Sequence, residues 1–170
     1  MNSTNDSELP AVGEQIITAC AFIHTKVNET PKVFLAKRSA SKGFLPNVFE
    51  LPGGHIDFGE DINEGLRREI IEELDQPIVL GDPFAAFTYT NELKGSHSIE
   101  VVYFASFAND AISIRLNPND HSEYGWFSED ELHLAAINGK SLDDDEFVAI
   151  RKGFQILRKQ YNVASSAKES

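Results

Sequence analysis

The chain predicts an α+β sandwich, with helices on either side of a mixed β-sheet. Three observations carry that expectation. Strand-like runs precede a strongly acidic amphipathic segment, further strand-like runs follow it, and a second amphipathic segment closes the chain. Apolar residues recur every fourth position at Ile62, Leu66, Ile70 and Leu74, and three or four apart at Phe147, Ile150, Phe154, Leu157 and Tyr161, which is helical periodicity. By contrast, EQIITACAFIH (residues 14–24) and IEVVYFASF (residues 99–107) are rich in β-branched and aromatic residues, as buried strands are.

In chain order, residues 1–11 (MNSTNDSELPA) are polar, end beside Pro10 and read as a flexible arm ahead of one domain over residues 12–161. A strand over residues 14–24, a turn over residues 26–30 and a strand over residues 32–38 form a hairpin. Residues 39–47 (SASKGFLPN) are an exposed loop. A short strand over residues 48–51 then delivers the chain to the turn Pro52-Gly53-Gly54. The acidic helix runs from Ile62 to Leu74, with Asp61 at its N-cap and Glu64 completing a capping-box-like pair. Gly65 inside it costs about 1 kcal/mol against Ala, which calls for a close neighbour. Pro77 blocks continuation.

Strands follow over residues 78–80 and 83–90, then a hairpin-type loop over residues 91–97 and a central strand over residues 99–107. Residues 111–116 predict a short strand and residues 121–127 another. Ser128 caps a brief helix over residues 129–136. The terminal helix, from Asp143 onward, lays its apolar face on the sheet; a homodimer seam is the alternative for that face. Residues 162–170 form a flexible tail.

Composition narrows the function classes. A chain of 170 residues with 41% hydrophobic content and 12 Phe supports one domain with a substantial core. Its formal net charge of −12 argues against a nucleic acid polymer as partner, since phosphate backbones are met by clustered Lys and Arg. A single nucleotide arriving with its metal is compatible with that charge. The lone cysteine, Cys20, lies in an apolar run and reads as buried; one cysteine excludes an internal disulfide, and no Cys/His group has zinc spacing. No leader-like segment and no apolar run of membrane-spanning length stands out, so the expected setting is cytoplasmic, with no membrane partner.

Residues 54–73 (GHIDFGEDINEGLRREIIEE) concentrate the chemistry. Glu69 precedes Glu72 by three positions and Glu73 by four, so the three carboxylates share a helix face and repel one another unless a cation intervenes. They lie along one margin of the apolar stripe. An apolar side fixed to a core and an acidic rim on a cleft suit hard divalent ions, which take carboxylate and carbonyl oxygen.

At these residues the sequence resembles the Nudix hydrolase family, whose signature is G-x5-E-x7-R-E-U-x-E-E-x-G-U, with U a bulky aliphatic. Gly54, Glu60, Arg68, Glu69, Ile70, Glu72 and Glu73 fall on it; the last two positions depart, with Asp75 and Gln76 in place of Gly and an aliphatic. That departure lies at the helix C-cap, beyond the acids. The resemblance implies the αβα Nudix fold over about residues 14–160 and hydrolysis of a diphosphate linked to another group, by attack of water on phosphorus. It implies that Glu69, Glu72 and Glu73, with the Gly53 carbonyl, bind Mg²⁺ or Mn²⁺, that one of these acids takes the water's proton, and that Arg68 orients them through ion pairs that include Glu60.

Family members often recruit a further acid from outside the signature. Glu123 is the first candidate here, with Glu100 and Asp120 behind it. For substrate binding, Arg38 is placed to meet a phosphate, and Phe44, Phe49, Phe87 and Tyr89 to stack on a base. Trp126 reads as a packing residue and His55 as a turn residue. The leading function is a MutT-like, metal-dependent hydrolysis of a nucleoside triphosphate or a related nucleoside diphosphate derivative. The alternatives are ADP-ribose or another sugar-nucleotide as substrate, and a non-catalytic nucleotide-binding module. An isoprenoid diphosphate isomerase of this fold calls for an active-site cysteine, to which Cys20 in a buried strand is ill suited.

Overall fold

The computed structural model describes residues 9–109 and 113–166. Seven strands and three helices follow one another as β1 (Gln15–Val27), β2 (Thr30–Arg38), β3 (Phe49–Glu50), β4 (Gly53–His55), α1 (Ile62–Leu74), β5 (Ile78–Asn91), β6 (Ser96–Phe107), β7 (His121–Phe127), α2 (Leu132–Ala135) and α3 (Asp145–Ser166). The main sheet runs β3-β2-β1-β6-β5, with β4 paired to β1 and β7 to β2. Among the described residues only β1 and β6 are parallel, from Gln15 against His97 to Ile23 against Ala105; the other pairings are antiparallel. The sheet is therefore mixed, as the sequence leads one to expect.

Alternation along β1 and β2 divides the core into two layers. Ala19, Ala21, Ile23, Phe34 and Ala36 face Leu66, Ile70 and Leu74 of α1. Cys20, Phe22, Val33 and Leu35 face Phe147, Ile150, Phe154 and Leu157 of α3. The terminal helix thus spends its apolar stripe on the sheet. Burying four such side chains removes apolar area worth about 1.5–3 kcal/mol each from water, which accounts for the helix's position.

Several elements differ from the sequence reading for local physical reasons. The β1–β2 turn is tighter, because Asn28 (φ 50°) and Glu29 (φ 63°) both adopt left-handed backbone and let the strands meet at Val27 and Thr30. Residues 78–80 and 83–90 are one strand, interrupted by irregular register between Leu80 and Ala85 where Gly81, Asp82 and Pro83 break the ladder. Residues 113–116 form no strand, and residues 110–112 lie outside the described residues. Instead the Arg115 and Asn117 N–H groups donate to the Leu74 and Glu73 carbonyls, satisfying the C-terminal end of α1. The brief helix after Ser128 divides into a 3₁₀ turn (Glu129–Glu131) and α2.

The chain ends show more order than the composition suggests. Residues 1–8 and 167–170 lie outside the described residues. Ala11 is buried and its N–H donates to the Lys94 carbonyl at 2.9 Å, while α3 continues to Ser166, past the expected start of the tail. Neither proline nor glycine interrupts residues 162–166, so nothing local stops the helix. No helix among the described residues is long and apolar enough to cross a membrane.

Candidate active site

Helix α1 has the boundaries its pattern predicts, and its cap explains the start. The Asp61 carboxylate accepts from the Asn63 and Glu64 N–H groups at 3.0 and 3.2 Å. Glu64 does not close a capping box; its side chain turns forward to Arg67, three residues on. At the other end Asp75 adopts the left-handed conformation (φ 53°, ψ 37°), and its N–H donates to the Ile71 carbonyl. Asp75 thereby occupies the backbone position for which glycine is the easiest residue. Gly65 has the close neighbours its position calls for, since a Cβ there would sit 2.7 Å from both Glu60 Oε2 and Ile56 Cδ1.

The facing turn is held as closely. Gly53 lies at φ 148° beside β1, and a Cβ would come within 2.2 Å of the Ala19 carbonyl oxygen. Its N–H donates to Glu73 Oε2 at 3.0 Å, tying the turn to the buried end of the acidic row. Arg68 organises the rest. Its guanidinium forks onto Glu60 (2.9 and 3.0 Å), donates to Glu69 Oε1 at 2.8 Å and to the His55 carbonyl at 2.9 Å, and lies 3.6 Å from Glu72.

The carboxylates differ in environment. Burial pushes the Glu69 carboxyl up to about 7, against the pull of Arg68. Glu73 is buried almost completely, which pushes it up to about 8; His121 pulls the other way, while Glu50 and Glu69 add to the rise. Half of the Glu72 side chain remains exposed. Two buried acids that resist ionisation mark a shortage of positive charge, which a divalent ion relieves. Glu69, Glu72, Glu73 and the Gly53 carbonyl are all hard oxygen donors, and so fit Mg²⁺ or Mn²⁺. Among the described residues no three acid or imidazole groups are already drawn into a closed cage, because Arg68 holds Glu69 and the Gly53 N–H holds Glu73.

These groups line a cleft of about 1380 Å³ that also contains Arg38, Phe44, Phe87, Tyr89, His55, Asp120 and Glu100. Arg38 donates to both oxygens of Glu50 (3.1 and 3.3 Å) and to the Phe44 carbonyl, and its Nη2 is buried with no hydrogen-bond partner among the described residues. Phe44 faces Tyr89 with rings 6.2 Å apart and nearly parallel. Two sequence candidates lie elsewhere. Phe49 is buried in the α3-side core against Phe127, since β3 alternation turns it inward. Glu123 is exposed and paired to Lys37. The regular β2–β7 register, unbroken from Val33 against Phe127 to Lys37 against Glu123, sets Glu123 level with Lys37; the register shift beyond Lys37 then puts His121 level with Arg38. Trp126 packs edge-on against Phe34 and Phe107.

The bulge brings in His121 and β3 brings in Glu50, neither of them a sequence candidate, beside Asp120, which was one. Fully buried His121 contacts Glu50 through Nε2 at 3.0 Å and approaches Glu73 through Nδ1 at 3.9 Å. Burial opposes its charging, but Glu73 and Glu50 outweigh burial and raise the imidazole above its ordinary value. Burial likewise opposes ionisation of Glu50, yet Arg38 and His121 hold it down at about 2. Asp120 is tied to Lys42 at 2.6 Å. Glu50 had a visible signal, an acid inside the apolar run VFELP just before the glycine turn. His121 had none, because a bulge cannot be read from one strand alone.

Comparison with known proteins agrees with this geometry. The NUDIX domain family model matches residues 16–149. A nucleoside triphosphatase NudI of Salmonella paratyphi B is 30% identical over 112 residues, which are 61% of this chain and 78% of that protein. The crystal structure of a MutT protein from Methanosarcina mazei Go1 superposes with a TM-score of 0.66 at 24% identity, covering 89% of this chain and 98% of that one. The NUDIX domain of Shewanella oneidensis NrtR, complexed with ADP ribose, superposes with a TM-score of 0.65 at 19% identity, covering 92% and 94%. With the signature residues gathered on one cleft and the family model spanning most of the chain, this protein belongs to the Nudix hydrolase family and is a Nudix pyrophosphohydrolase.

Proposed function

We propose that the protein hydrolyses a diphosphate linkage of a nucleoside triphosphate, or of a related nucleoside diphosphate derivative, with Mg²⁺ or Mn²⁺ bound by Glu69, Glu72, Glu73 and the Gly53 carbonyl. The observation that carries the proposal is one cleft with an acidic row at one end and the aromatic side chains Phe44, Phe87 and Tyr89 along its wall. An ion held by these oxygens would supply the positive charge that neutralises the diphosphate and makes water a better nucleophile. Arg68 fixes the rotamers of Glu69 and Glu60, so that the acidic row keeps its shape as charge develops. Glu72, the acid of the row with half its side chain open, is placed to accept the water's proton. Arg38, through its unpartnered Nη2, is placed to donate to a phosphate oxygen.

That a relative 30% identical is a nucleoside triphosphatase supports a triphosphate over ADP-ribose. A reducing, cytoplasmic setting suits the single buried Cys20. The test is incubation with Mg²⁺ and a panel of nucleotides, reading pyrophosphate, phosphate and monophosphate. Turnover of a nucleoside triphosphate is expected. Glu72→Gln and Glu73→Gln are each expected to lower it about 10²–10⁴-fold with the fold intact. Unchanged rates in both variants remove the assigned roles.

A further inference from the structure

We propose that Glu100 selects the nucleobase, accepting a hydrogen bond from an exocyclic amine, so that the cleft prefers amino-bearing bases to their carbonyl counterparts. The inference deepens the nucleotide reading above and rests on it. In the sheet, Glu100 of β6 stands level with Thr18 of β1 and Phe87 of β5. Residues level across neighbouring strands point to the same face, so these three side chains form a row, and all three line the cleft.

The surroundings of Glu100 are those of a recognition group. Thr18 Oγ1 donates to its Oε2 at 3.0 Å, and the Cys20 thiol also hydrogen-bonds to it. The cations of this wall are committed elsewhere, Arg38 to Glu50 and Lys140 to Glu146. No ion pair reaches Glu100 among the described residues, and burial pushes its carboxyl up to about 7. The acids acting on it most strongly are Glu146 and Glu50 rather than the acidic row of α1. A carboxylate set in a protein wall without a cation is costly unless something brings it donors.

A ligand that supplies an N–H to Glu100 recovers that cost. Tyr89 lies beside Glu100, and its hydroxyl is tied to Ser98 and Thr18. The rings of Phe44, Phe87 and Tyr89 stack on any base and cannot discriminate. Glu100 can: an amine offers it a proton, whereas a carbonyl at the same ring position presents lone pairs to a carboxylate. Cytosine over uracil and adenine over hypoxanthine are therefore the expected preferences, each pair differing in an amine against a carbonyl.

The experiment is calorimetric binding, with Mg²⁺ and at about pH 8.5 so that the Glu100 carboxyl, pushed up to about 7, is the ionised acceptor, of non-hydrolysable α,β-methylene analogues of dCTP, dUTP, dATP and dITP to the full chain. Wild type is expected to bind the cytosine analogue about tenfold or more tightly than the uracil analogue, the usual size of a hydrogen bond to a charged group. Glu100→Gln, whose amide can also donate, is expected to bring that ratio to about one by tightening uracil binding. Equal wild-type affinities for the two pyrimidines overturn the proposal without any variant being needed. An equal weakening of all analogues by Glu100→Gln also overturns it, placing the side chain at the phosphate end. Because binding is read without turnover, a protein that discriminates bases but hydrolyses nothing refutes the hydrolytic reading alone. A protein that binds no analogue refutes the nucleotide reading and this inference together.

Discussion

Arg68 shows how much a single side chain carries in this site. Five donors in a planar fork allow it to bridge Glu60, Glu69 and the His55 carbonyl at once. A lysine has the charge and the length but not the fork. Arg68→Lys is expected to stay folded while turnover falls about 10–100-fold and the Mg²⁺ concentration for half-maximal rate rises. Steady-state kinetics over a Mg²⁺ series measures both, and a variant indistinguishable from wild type would contradict the orienting role. The signature spacing made Arg68, Glu69, Glu72 and Glu73 legible from sequence, because residues three and four apart on one helix must be neighbours whatever the rest of the chain does. His121 and Glu50 were not legible as partners, since their 3.0 Å contact joins two strands 71 residues apart in sequence.

Helix α1 is the element on which sequence and structure agree most fully. Its apolar period, N-cap and following Pro77 are all local signals, and its observed limits coincide with them. Its exit is the informative departure. Asp75 holds left-handed backbone at φ 53°, which an L residue adopts at a cost and glycine does not. Asp75→Gly is expected to raise stability by about 0.5–1 kcal/mol, or about 1–3 °C in thermal midpoint, with activity unchanged. The exposed contact with Arg115 at 3.5 Å lost in that change is worth little. A lower midpoint, read by scanning calorimetry, would show that the Asp75 side chain contributes more than its backbone costs. Strands were harder to delimit: the two-residue β1–β2 turn lacks the Asn-Gly signature, and the β5 irregularity looks in sequence like a gap.

At the scale of the whole molecule, the cleft gathers acids that the fold holds away from water, and stability should therefore depend on pH in a definite sense. Glu69, Glu73 and Glu100 have folded pKa values raised to about 7, 8 and 7 from 4.5, so the folded chain binds their protons more tightly than the unfolded chain. The stability they contribute is full below pH 4.5 and is lost as pH rises through 7 to 8. Raised His121 adds to the same trend, its share being lost as pH climbs past its folded value. Glu50 has the opposite sign: held at about 2, it contributes above pH 4.5 and loses that contribution as pH falls toward 2. In EDTA the thermal midpoint is expected to be several degrees lower at about pH 8.5 than at about pH 5.5. Mg²⁺ is expected to raise it more at the higher pH, because the ion stabilises the ionised acids. A flat midpoint across that range in EDTA would contradict the burial of these carboxyls.

The sequence by itself determined the layered fold class, the limits of the acidic helix and the acids on its rim, because helical periodicity, caps and fixed spacings are properties of neighbouring residues. Only the tertiary structure decided which side chains meet those acids across the cleft. The regular register of β2 with β7 pairs Glu123 with Lys37, a bulge beyond Lys37 sets His121 level with Arg38, and the parallel register of β1 with β6 sets Glu100 level with Thr18. Strand pairing and register are long-range choices in which a shift of one residue reverses every side chain. The acids' helix is thus written locally, while the partners of those acids and the group that would read the nucleobase follow from how distant strands align.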